Sequence, residues 1–179
     1  MTDSFKAVEE AFSLYKDNIF NYVSKMIGCS FAVDITQDVF TKALEKWSSA
    51  KPRNVKAWIF RIAHNACIDH IRRSTLERRI LGKSEKPKNS SDTILLIKHD
   101  SIKQPLDNVL KSEMYDNIMI AINKLPEEQK QVFLLREESG MNFKEIAAIV
   151  DAPLNTVLGR MHYAIQNLSK NLHMYKSET

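Results

Sequence analysis

The fold of this chain is decided near its C-terminus by three consecutive segments, Asn142-Phe-Lys-Glu-Ile-Ala-Ala-Ile-Val150, Asp151-Ala-Pro153 and Leu154-Asn-Thr-Val-Leu-Gly-Arg160. The first and third segments place apolar residues at helical spacing, and the middle segment is a three-residue turn. Two helices joined by such a turn form a helix-turn-helix, which presents its second helix to the major groove of duplex DNA. The pattern therefore predicts a DNA-binding helical domain.

Individual residues in the two helices support this prediction. Asn142 is placed to cap the first helix, with Glu145 at the position that reaches back to the cap. Pro153 suits the first turn of the second helix, where a missing amide hydrogen costs nothing. Val157 is spaced to pack on the first helix at Ile146. An ordinary helical hairpin is the alternative for so short a motif.

The composition indicates a soluble helical protein. The 179 residues are 44% hydrophobic, which is enough for a real core in one domain or two small ones. Four glycines and five prolines are few for a β protein with many tight turns. No signal peptide is visible, and no apolar run approaches the roughly 20 residues needed to cross a bilayer. We therefore expect an all-α, soluble, cytoplasmic protein.

Positive charge is concentrated in one part of the chain, although the formal net charge is only +4. Residues 1–50 contain five basic and seven acidic side chains, whereas residues 51–88 contain eleven basic and three acidic ones. A basic zone of this kind attracts a polyanion and makes association sensitive to salt. A solvated basic helix surface is the alternative.

Hydrophobic periodicity predicts three helices in the N-terminal part, over residues 5–27, 34–47 and 55–79. Each helix carries one apolar stripe, so the three can share a core. We assign them to a first domain, residues 1–81.

A polar stretch separates this domain from the helix-turn-helix. Residues 82–105 lack helical periodicity and are predicted to be a flexible linker, in which Ile94–Ile97 is expected to dock on a domain or a partner. Helicity resumes near Leu106 and breaks at Leu125-Pro126. Residues 106–179 are the predicted second domain.

The residues offer no coherent catalytic or metal site. His64, Asp69 and His70 resemble part of a metal site, but the two histidines lie about 600° apart around a helix and project to different sides. Cys29 and Cys67 belong to no Cys-x-x-Cys or Cys/His cluster, so we expect reduced, packed thiols. No glycine-rich phosphate loop or nucleophile elbow occurs. We therefore expect no enzymatic activity, no metal and no cofactor.

The stretch from Lys51 to Arg61 mixes aromatic and basic side chains. Unpaired bases stack on aromatic rings while Lys and Arg hold the phosphate backbone, so this stretch is a candidate single-strand binding surface. Trp58 and Phe60 alternatively belong to the core, and for Trp58 the core is favoured. Two DNA-facing modules on one chain would contact one DNA molecule at two spaced places.

Three motifs, in order, resemble the extracytoplasmic-function (ECF) class of bacterial sigma factors. They are Asp34-Ile-Thr-Gln-Asp-Val-Phe40, then Val55-Lys-Ala-Trp-Ile-Phe-Arg-Ile-Ala-His-Asn-Ala-Cys-Ile-Asp-His-Ile-Arg-Arg73, then Leu125-Pro126 with Phe143-Lys-Glu-Ile-Ala147 and Thr156-Val157. The resemblance covers nearly the whole chain except the linker. It implies a σ subunit that joins core RNA polymerase, reads the −35 promoter element with its C-terminal domain and melts the −10 element with its N-terminal domain. It also implies an anti-sigma factor as a partner.

The resemblance assigns roles to three groups of residues. The group matching the surface that binds the polymerase β′ clamp is Asp34, Gln37, Asp38 and Thr41. The group matching the part that captures a flipped base and the −10 strand is Arg53, Asn54, Lys56, Trp58, Arg61, Asn65, Asp69, Arg72 and Arg73. The group matching the −35 reader is Asn155, Thr156, Leu158, Gly159, Arg160 and Tyr163. For Asp69, an ion pair with a neighbouring arginine is the alternative role.

The recognition helix departs from the family pattern. Leu158, Tyr163 and Ile165 stand where Lys or Arg is usual. Gly159 lies inside the helix, which costs about 1 kcal/mol relative to Ala. We therefore expect fewer phosphate contacts at the −35 element than is usual.

Two other functions compete with the σ factor. The second hypothesis is a stand-alone helix-turn-helix regulator that binds operator DNA without polymerase, and the third is an enzyme acting on nucleic acid. The polar face at Asp34, Gln37 and Asp38 favours the σ factor, because a simple operator binder needs neither this face nor the aromatic-basic stretch.

Overall fold

The computed structural model describes the backbone of residues 2–80 and 105–176, and these residues form seven helices and no strand. The predicted all-α fold is confirmed for these ranges. None of the helices within them has the length and hydropathy of a membrane span. The predicted linker at 82–105, with Ile94–Ile97, lies outside the described residues apart from Pro105.

The first domain consists of three helices, α1 (Thr2–Ile27), α2 (Cys29–Ala50) and α3 (Val55–Ile80). Helix α2 begins earlier than the predicted residue 34, because Gly28 turns the chain sharply after α1 with a positive φ of 96°. Lys51 ends α2 in a left-handed conformation.

The three helices pack pairwise around one core. Each fully buried large apolar side chain contributes about 1.5–3 kcal/mol, so this core supplies most of the stability of the domain. The largest fully buried side chains of the domain are Ile19, Tyr22, Val23, Val39, Ile59, Phe60 and Cys67.

The second domain consists of α4 (Pro105–Asn123), α5 (Glu127–Ser139), α6 (Phe143–Val150) and α7 (Leu154–Lys176). The predicted break at Leu125-Pro126 is confirmed, because Pro126 precedes α5 and its carbonyl accepts a hydrogen bond of 2.9 Å from the Lys130 N–H.

Helix α5 lies at the centre of the molecule. It contacts α6 and α7 of its own domain and also α1 and α3 of the first domain. Its run Val132–Leu135 places apolar side chains around the helix, and Val132, Leu134 and Leu135 are almost fully buried. A helix that is apolar on every side requires neighbours on every side. The two domains therefore pack against each other, and α3 also contacts α6.

Candidate nucleic-acid interface

Helices α6 and α7 form the predicted helix-turn-helix. The Asn142 side chain accepts a hydrogen bond of 3.0 Å from the Glu145 N–H, and Glu145 Oε2 accepts one of 2.9 Å from the Asn142 N–H. This reciprocal pair is the predicted capping box. Ile146 and Val157 are both fully buried, and α6 contacts α7. The predicted packing of the second helix on the first is confirmed.

The turn between the two helices differs from the prediction by one residue. Asp151 ends α6 in a left-handed conformation with φ 50°. Pro153 lies before the first turn of α7, because the helix begins at Leu154 and the Pro153 carbonyl accepts a hydrogen bond of 3.1 Å from the Val157 N–H. A proline at this capping position loses nothing, since its missing N–H has no partner in the helix.

The outward face of α7 is largely exposed. Leu158 and Tyr163 are 41% and 58% exposed, so the departures from the family pattern lie on the surface predicted to face DNA. Among the predicted −35 residues, the exposed ones are Asn155, Thr156, Leu158 and Tyr163, and the half-buried ones are Gly159 and Arg160.

Arg160, the one basic residue predicted for the −35 face, is held by α5. Its Nη2 lies 3.0 Å from Glu128 Oε2, and its side chain is 20% exposed. Because Glu128 is 69% exposed, the pair is solvated and contributes at most about 1 kcal/mol. The carboxylate can therefore be displaced from Arg160 at small cost.

The polar face of α3 is open to solvent. Exposed arginines along a helix create the positive potential that binds a polyanion. The exposed predicted −10 residues along this face and in the loop before it are Arg53, Asn54, Arg61, Asn65, Asp69, Arg72 and Arg73, while Lys56 and Trp58 are half-buried.

Asn54, Trp58 and Arg61 also lie beside the second domain. Asn54 caps α3, because its Oδ1 accepts a hydrogen bond of 3.0 Å from the Ala57 N–H in the first turn. The Asn54 Nδ2 donates a second hydrogen bond, of 2.7 Å, to Glu145 Oε1 in the second domain. The Arg61 guanidinium donates to the carbonyl oxygen of Ala148. These side chains line a cleft of about 320 Å³ between the start of α3 and α6.

The two aromatic candidates differ in accessibility. Phe60 is fully buried and packs edge-to-face on Tyr22, with ring centroids 6.1 Å apart. It belongs to the core and cannot stack on a base. Trp58 is half-buried against Trp47, with centroids 5.7 Å apart, and it also lines the cleft. Trp58 is therefore both a core residue and a possible contact for a base.

The predicted polymerase-binding face of α2 is also exposed. Spacings of three and four residues place its members on one side of the helix. The neighbouring side chain of Val33 is 53% exposed, which adds apolar area at the edge of this face. The exposed polar members are Asp34, Gln37, Asp38 and Thr41.

The His64, Asp69 and His70 set does not converge on one point. His64 Nδ1 lies 2.9 Å from the Tyr22 hydroxyl inside the core, whereas the His70 ring packs on Phe31 with centroids 4.5 Å apart. Burial lowers the pKa of His64 to about 4, so its imidazole is neutral at neutral pH. Within residues 2–80 and 105–176, no group of three or more His, Cys, Asp or Glu side chains could hold a metal ion.

Both cysteines are free thiols, as predicted. Burial raises the pKa of Cys67 to about 12 and also raises the pKa of the half-buried Cys29. Because the thiolate is the reactive form, a raised pKa lowers the reactivity of both thiols.

Two contacts between the domains were missed by sequence analysis. Glu145, predicted only as a capping residue, also accepts the hydrogen bond from Asn54. Lys130 is buried, with Nζ 2.9 Å from Asn123 Oδ1 and 3.3 Å from the Met26 carbonyl oxygen. The all-round apolar run Val132–Leu135 is the one sequence signal that indicates a second packing partner for α5.

Two family models match the chain. Sigma-70 region 2 matches residues 11–77, and Sigma-70, region 4 matches residues 115–168. The first range lies within α1–α3 and the second within α4–α7. The fold and its exposed faces therefore define a σ subunit with one helical domain of each kind.

Known proteins of similar sequence and structure point to one class of σ factor. The ECF RNA polymerase sigma factor SigW of Bacillus subtilis is 30% identical over 177 residues, covering 93% of this chain and 91% of the relative. The ECF RNA polymerase sigma-E factor of Escherichia coli K12 is 28% identical, covering 89% and 85%. The sigma factor RpoE of Bartonella quintana, solved with the anti-sigma factor NepR, has the same fold with a TM-score of 0.75 at 20% identity, covering 94% and 98%.

The chain belongs to the ECF class of the sigma-70 family of RNA polymerase sigma factors. Sigma factors are transcription initiation factors and are not known as enzymes. The stand-alone operator-binding regulator is not favoured, because the match to region 2 spans a whole domain that such a regulator does not need.

Proposed function

We propose that this σ factor binds the β′ clamp of core RNA polymerase with α2, captures the −10 strand with α3 and reads the −35 element with α7. The observation that carries the proposal is the exposure of a polar face on each of these helices, whose opposite sides form the core. Each face can then meet its partner without refolding. The chain has no catalytic activity of its own and acts in the bacterial cytoplasm, together with the polymerase.

The face of α2 suits a protein surface that is basic and rich in hydrogen-bonding groups. Asp34 and Asp38 supply two exposed carboxylates, and Val33 and Leu44 add apolar area, being 53% and 40% exposed. Interfaces combine such apolar anchors with polar groups that set orientation. The Thr41 hydroxyl already donates to the Gln37 carbonyl oxygen at 3.0 Å, so we expect Thr41 to contribute its methyl group.

The α3 face suits an opened DNA strand. Arg72 and Arg73 are exposed and can hold phosphates, whereas Asn65 can bond to a base edge. Trp58 can stack on an unpaired base from the cleft wall.

The α7 face suits a base-reading role with few ionic contacts. Leu158 and Tyr163 are exposed where a basic residue is usual, and apolar side chains in the major groove contact the methyl group of thymine. We therefore expect a thymine in the −35 element beside Leu158. Arg160 would exchange Glu128 for a phosphate or a guanine.

An anti-sigma factor is a further proposed partner. Two solved proteins of similar fold, RpoE and CnrH, are sigma factors in complex with the anti-sigma factor NepR and with the cytosolic domain of CnrY, respectively. The exposed apolar residues beside the α2 face support a protein partner there in the absence of polymerase.

Run-off transcription with purified core RNA polymerase tests the proposal. We expect transcripts from a subset of promoter templates only when the chain is added, and only weak binding of the chain alone to the same duplexes at physiological salt. Tight, sequence-specific duplex binding by the chain alone, without transcripts, would instead favour the operator-binding regulator.

A further inference from the structure

Phe31 is an exposed aromatic residue near the start of α2. Its side chain is 48% exposed, although phenylalanine is among the residues most often buried. The His70 ring of α3 packs on one side of the Phe31 ring, with centroids 4.5 Å apart and an angle of 49° between the ring planes. The remainder of the Phe31 ring is therefore open to solvent, and its position is fixed by α3.

His70 places the Phe31 ring beside the basic part of the α3 face. Arg72 and Arg73 are exposed there and are proposed to hold phosphates. Residues three positions apart on a helix are neighbours, with about 5–6 Å between their Cβ atoms, so Arg73 lies next to His70. An open aromatic ring next to exposed arginines is the combination that binds single-stranded nucleic acid.

Phe31 also lies one helical turn before Asp34, where the proposed polymerase-binding face of α2 begins. Long side chains on a helix point back toward its N-terminus, so the Phe31 ring leans over the first turn of α2 and away from Asp34. This first turn carries no acidic residue. The charges around the ring therefore favour a polyanion over a basic protein surface.

The position of Phe31 complements that of Trp58, the aromatic residue in the cleft at the start of α3. The α3 axis rises about 18 Å from Trp58 to His70, at 1.5 Å per residue. Stacked nucleotides of one strand are about 3.4 Å apart, so about five nucleotide steps span this distance. Phe60, the other aromatic residue of the Lys51–Arg61 stretch, is buried and cannot take part.

We propose that Phe31, held in place by His70, is a second base-stacking residue of the −10 surface. Its ring packs on an unpaired base about five nucleotides from the base that contacts Trp58, while the arginines beside it hold the phosphates. This inference rests on the proposed role of α3 in strand capture. Stacking on an aromatic ring tolerates every base, so Phe31 adds affinity for the opened strand and little sequence preference.

Substitutions at Phe31 test this inference in the complex with core RNA polymerase. Phe31→Leu keeps an apolar side chain against His70 but has no aromatic face, whereas Phe31→Tyr keeps the ring. Leu14→Ala is the matched control, because it removes an apolar side chain that is 67% exposed on α1.

The first measurement is the affinity of each complex for a pre-melted promoter template with an unpaired −10 strand. Phe31→Leu should weaken this affinity about five- to tenfold, whereas Phe31→Tyr and Leu14→Ala should match the wild type. The second measurement is the affinity of each chain for core polymerase in competition with a reference σ factor. None of these variants should change it, which also shows that the variants are folded.

Abasic sites locate the stacked base. Bases of the unpaired strand are removed one at a time. At one position the wild type should lose affinity and Phe31→Leu should lose nothing further, because both changes delete the same contact. Trp58→Ala should show this non-additivity at a different position, about five nucleotides away.

Unchanged template binding by Phe31→Leu would overturn the inference, and so would additive losses at every abasic position. A loss of core-polymerase affinity would also overturn it, because Phe31 would then belong to the protein interface that begins at Asp34.

A variant with both Arg72→Ala and Arg73→Ala separates failure of this inference from failure of the proposed function. If this variant binds the pre-melted template weakly while Phe31→Leu binds it normally, only the stacking role of Phe31 fails. If both bind it normally, α3 does not capture the strand, and the proposed function fails as well.

Discussion

Tyr22 and His64 form a polar pair within the apolar core of the first domain. The Tyr22 hydroxyl lies 2.9 Å from His64 Nδ1, and the two residues are 0% and 6% exposed. With the imidazole proton on Nε2, Nδ1 accepts the hydrogen bond from the hydroxyl, and both buried groups are satisfied without a charge. Protonation of His64 would place a charge in this core, and burial accordingly lowers its pKa from 6.5 to about 4.

We expect the free energy of unfolding to fall as the pH is lowered from about 6.5 to about 4. Above this pH range the imidazole is neutral in both the folded and the unfolded chain, so it adds no pH dependence to the free energy of unfolding. Within it the unfolded chain binds the proton and the folded chain does not, so the unfolded state is favoured. The loss at pH 5 should be about 2 kcal/mol.

Urea unfolding at two pH values measures this loss. His64→Gln keeps a hydrogen-bonding side chain but cannot titrate. The difference between variant and wild type in the stability lost on acidification therefore gives the contribution of the imidazole, because the carboxylates titrate in both proteins. An equal loss of stability in both proteins would show that His64 is not the source.

At the level of the helix, Gly159 and Gly140 differ in backbone conformation but not in surrounding space. A Cβ added at either glycine meets no atom within 4 Å. Gly159 lies within α7, whereas Gly140 ends α5 with φ +64°. Their different conformations therefore decide what an alanine does at each position.

Gly159→Ala should raise the free energy of unfolding by about 1 kcal/mol, because alanine loses less backbone entropy in a helix. Gly140→Ala should lower it by about 1 kcal/mol, because a Cβ strains the left-handed conformation. Urea denaturation measures both. Stabilisation by both substitutions would contradict the argument. Promoter binding by Gly159→Ala reports separately whether α7 needs a glycine for close approach to DNA.

The α2 face makes a prediction about polymerase binding. Asp38→Arg should weaken binding to core polymerase by about 1–3 kcal/mol, through lost hydrogen bonds and like-charge repulsion. Its stability should not change, because Asp38 is exposed. Competition against a reference σ factor measures the affinity, and Glu10→Arg, at an exposed carboxylate of α1, is the control. Equal affinities of the two variants would remove α2 from the proposed interface.

For the whole molecule, mutations in the two domains should impair different steps of transcription initiation. Arg160→Ala should weaken −35 binding by about 1–3 kcal/mol and leave melting intact. Asn65→Ala should leave duplex binding nearly unchanged and impair strand opening, because polar groups on α3 hold bases only after they leave the helix. Gel shifts of the closed complex and permanganate footprints of the bubble measure the two steps.

A pre-melted template provides the control for this pair. Asn65→Ala should recover most of its activity on it, whereas Arg160→Ala should gain little from it. Normal opening by Asn65→Ala, together with recovery of Arg160→Ala on the pre-melted template, would show that the roles of the two domains are wrongly assigned.

The local features of this chain could be predicted from its sequence. The helical stripes, the capping box at Asn142 and Glu145, the break at Leu125-Pro126 and the exposed face around Asp38 all depend on residues a few positions apart. Such features follow from helical periodicity and local hydrogen bonding, which the order of residues contains directly. The same information was sufficient to indicate two helical domains and the family.

Only the tertiary structure decided how the two domains meet. The bond from Asn54 to Glu145 joins residues 91 positions apart, and Lys130 is buried because the end of α1 covers it. Likewise, Phe60 is buried in the core and is not accessible for base stacking, whereas Trp58 lines the cleft. Periodicity shows that a helix has an apolar side but does not show which helix will cover it. That choice depends on the packing energy of the whole chain, summed over contacts between residues far apart in sequence.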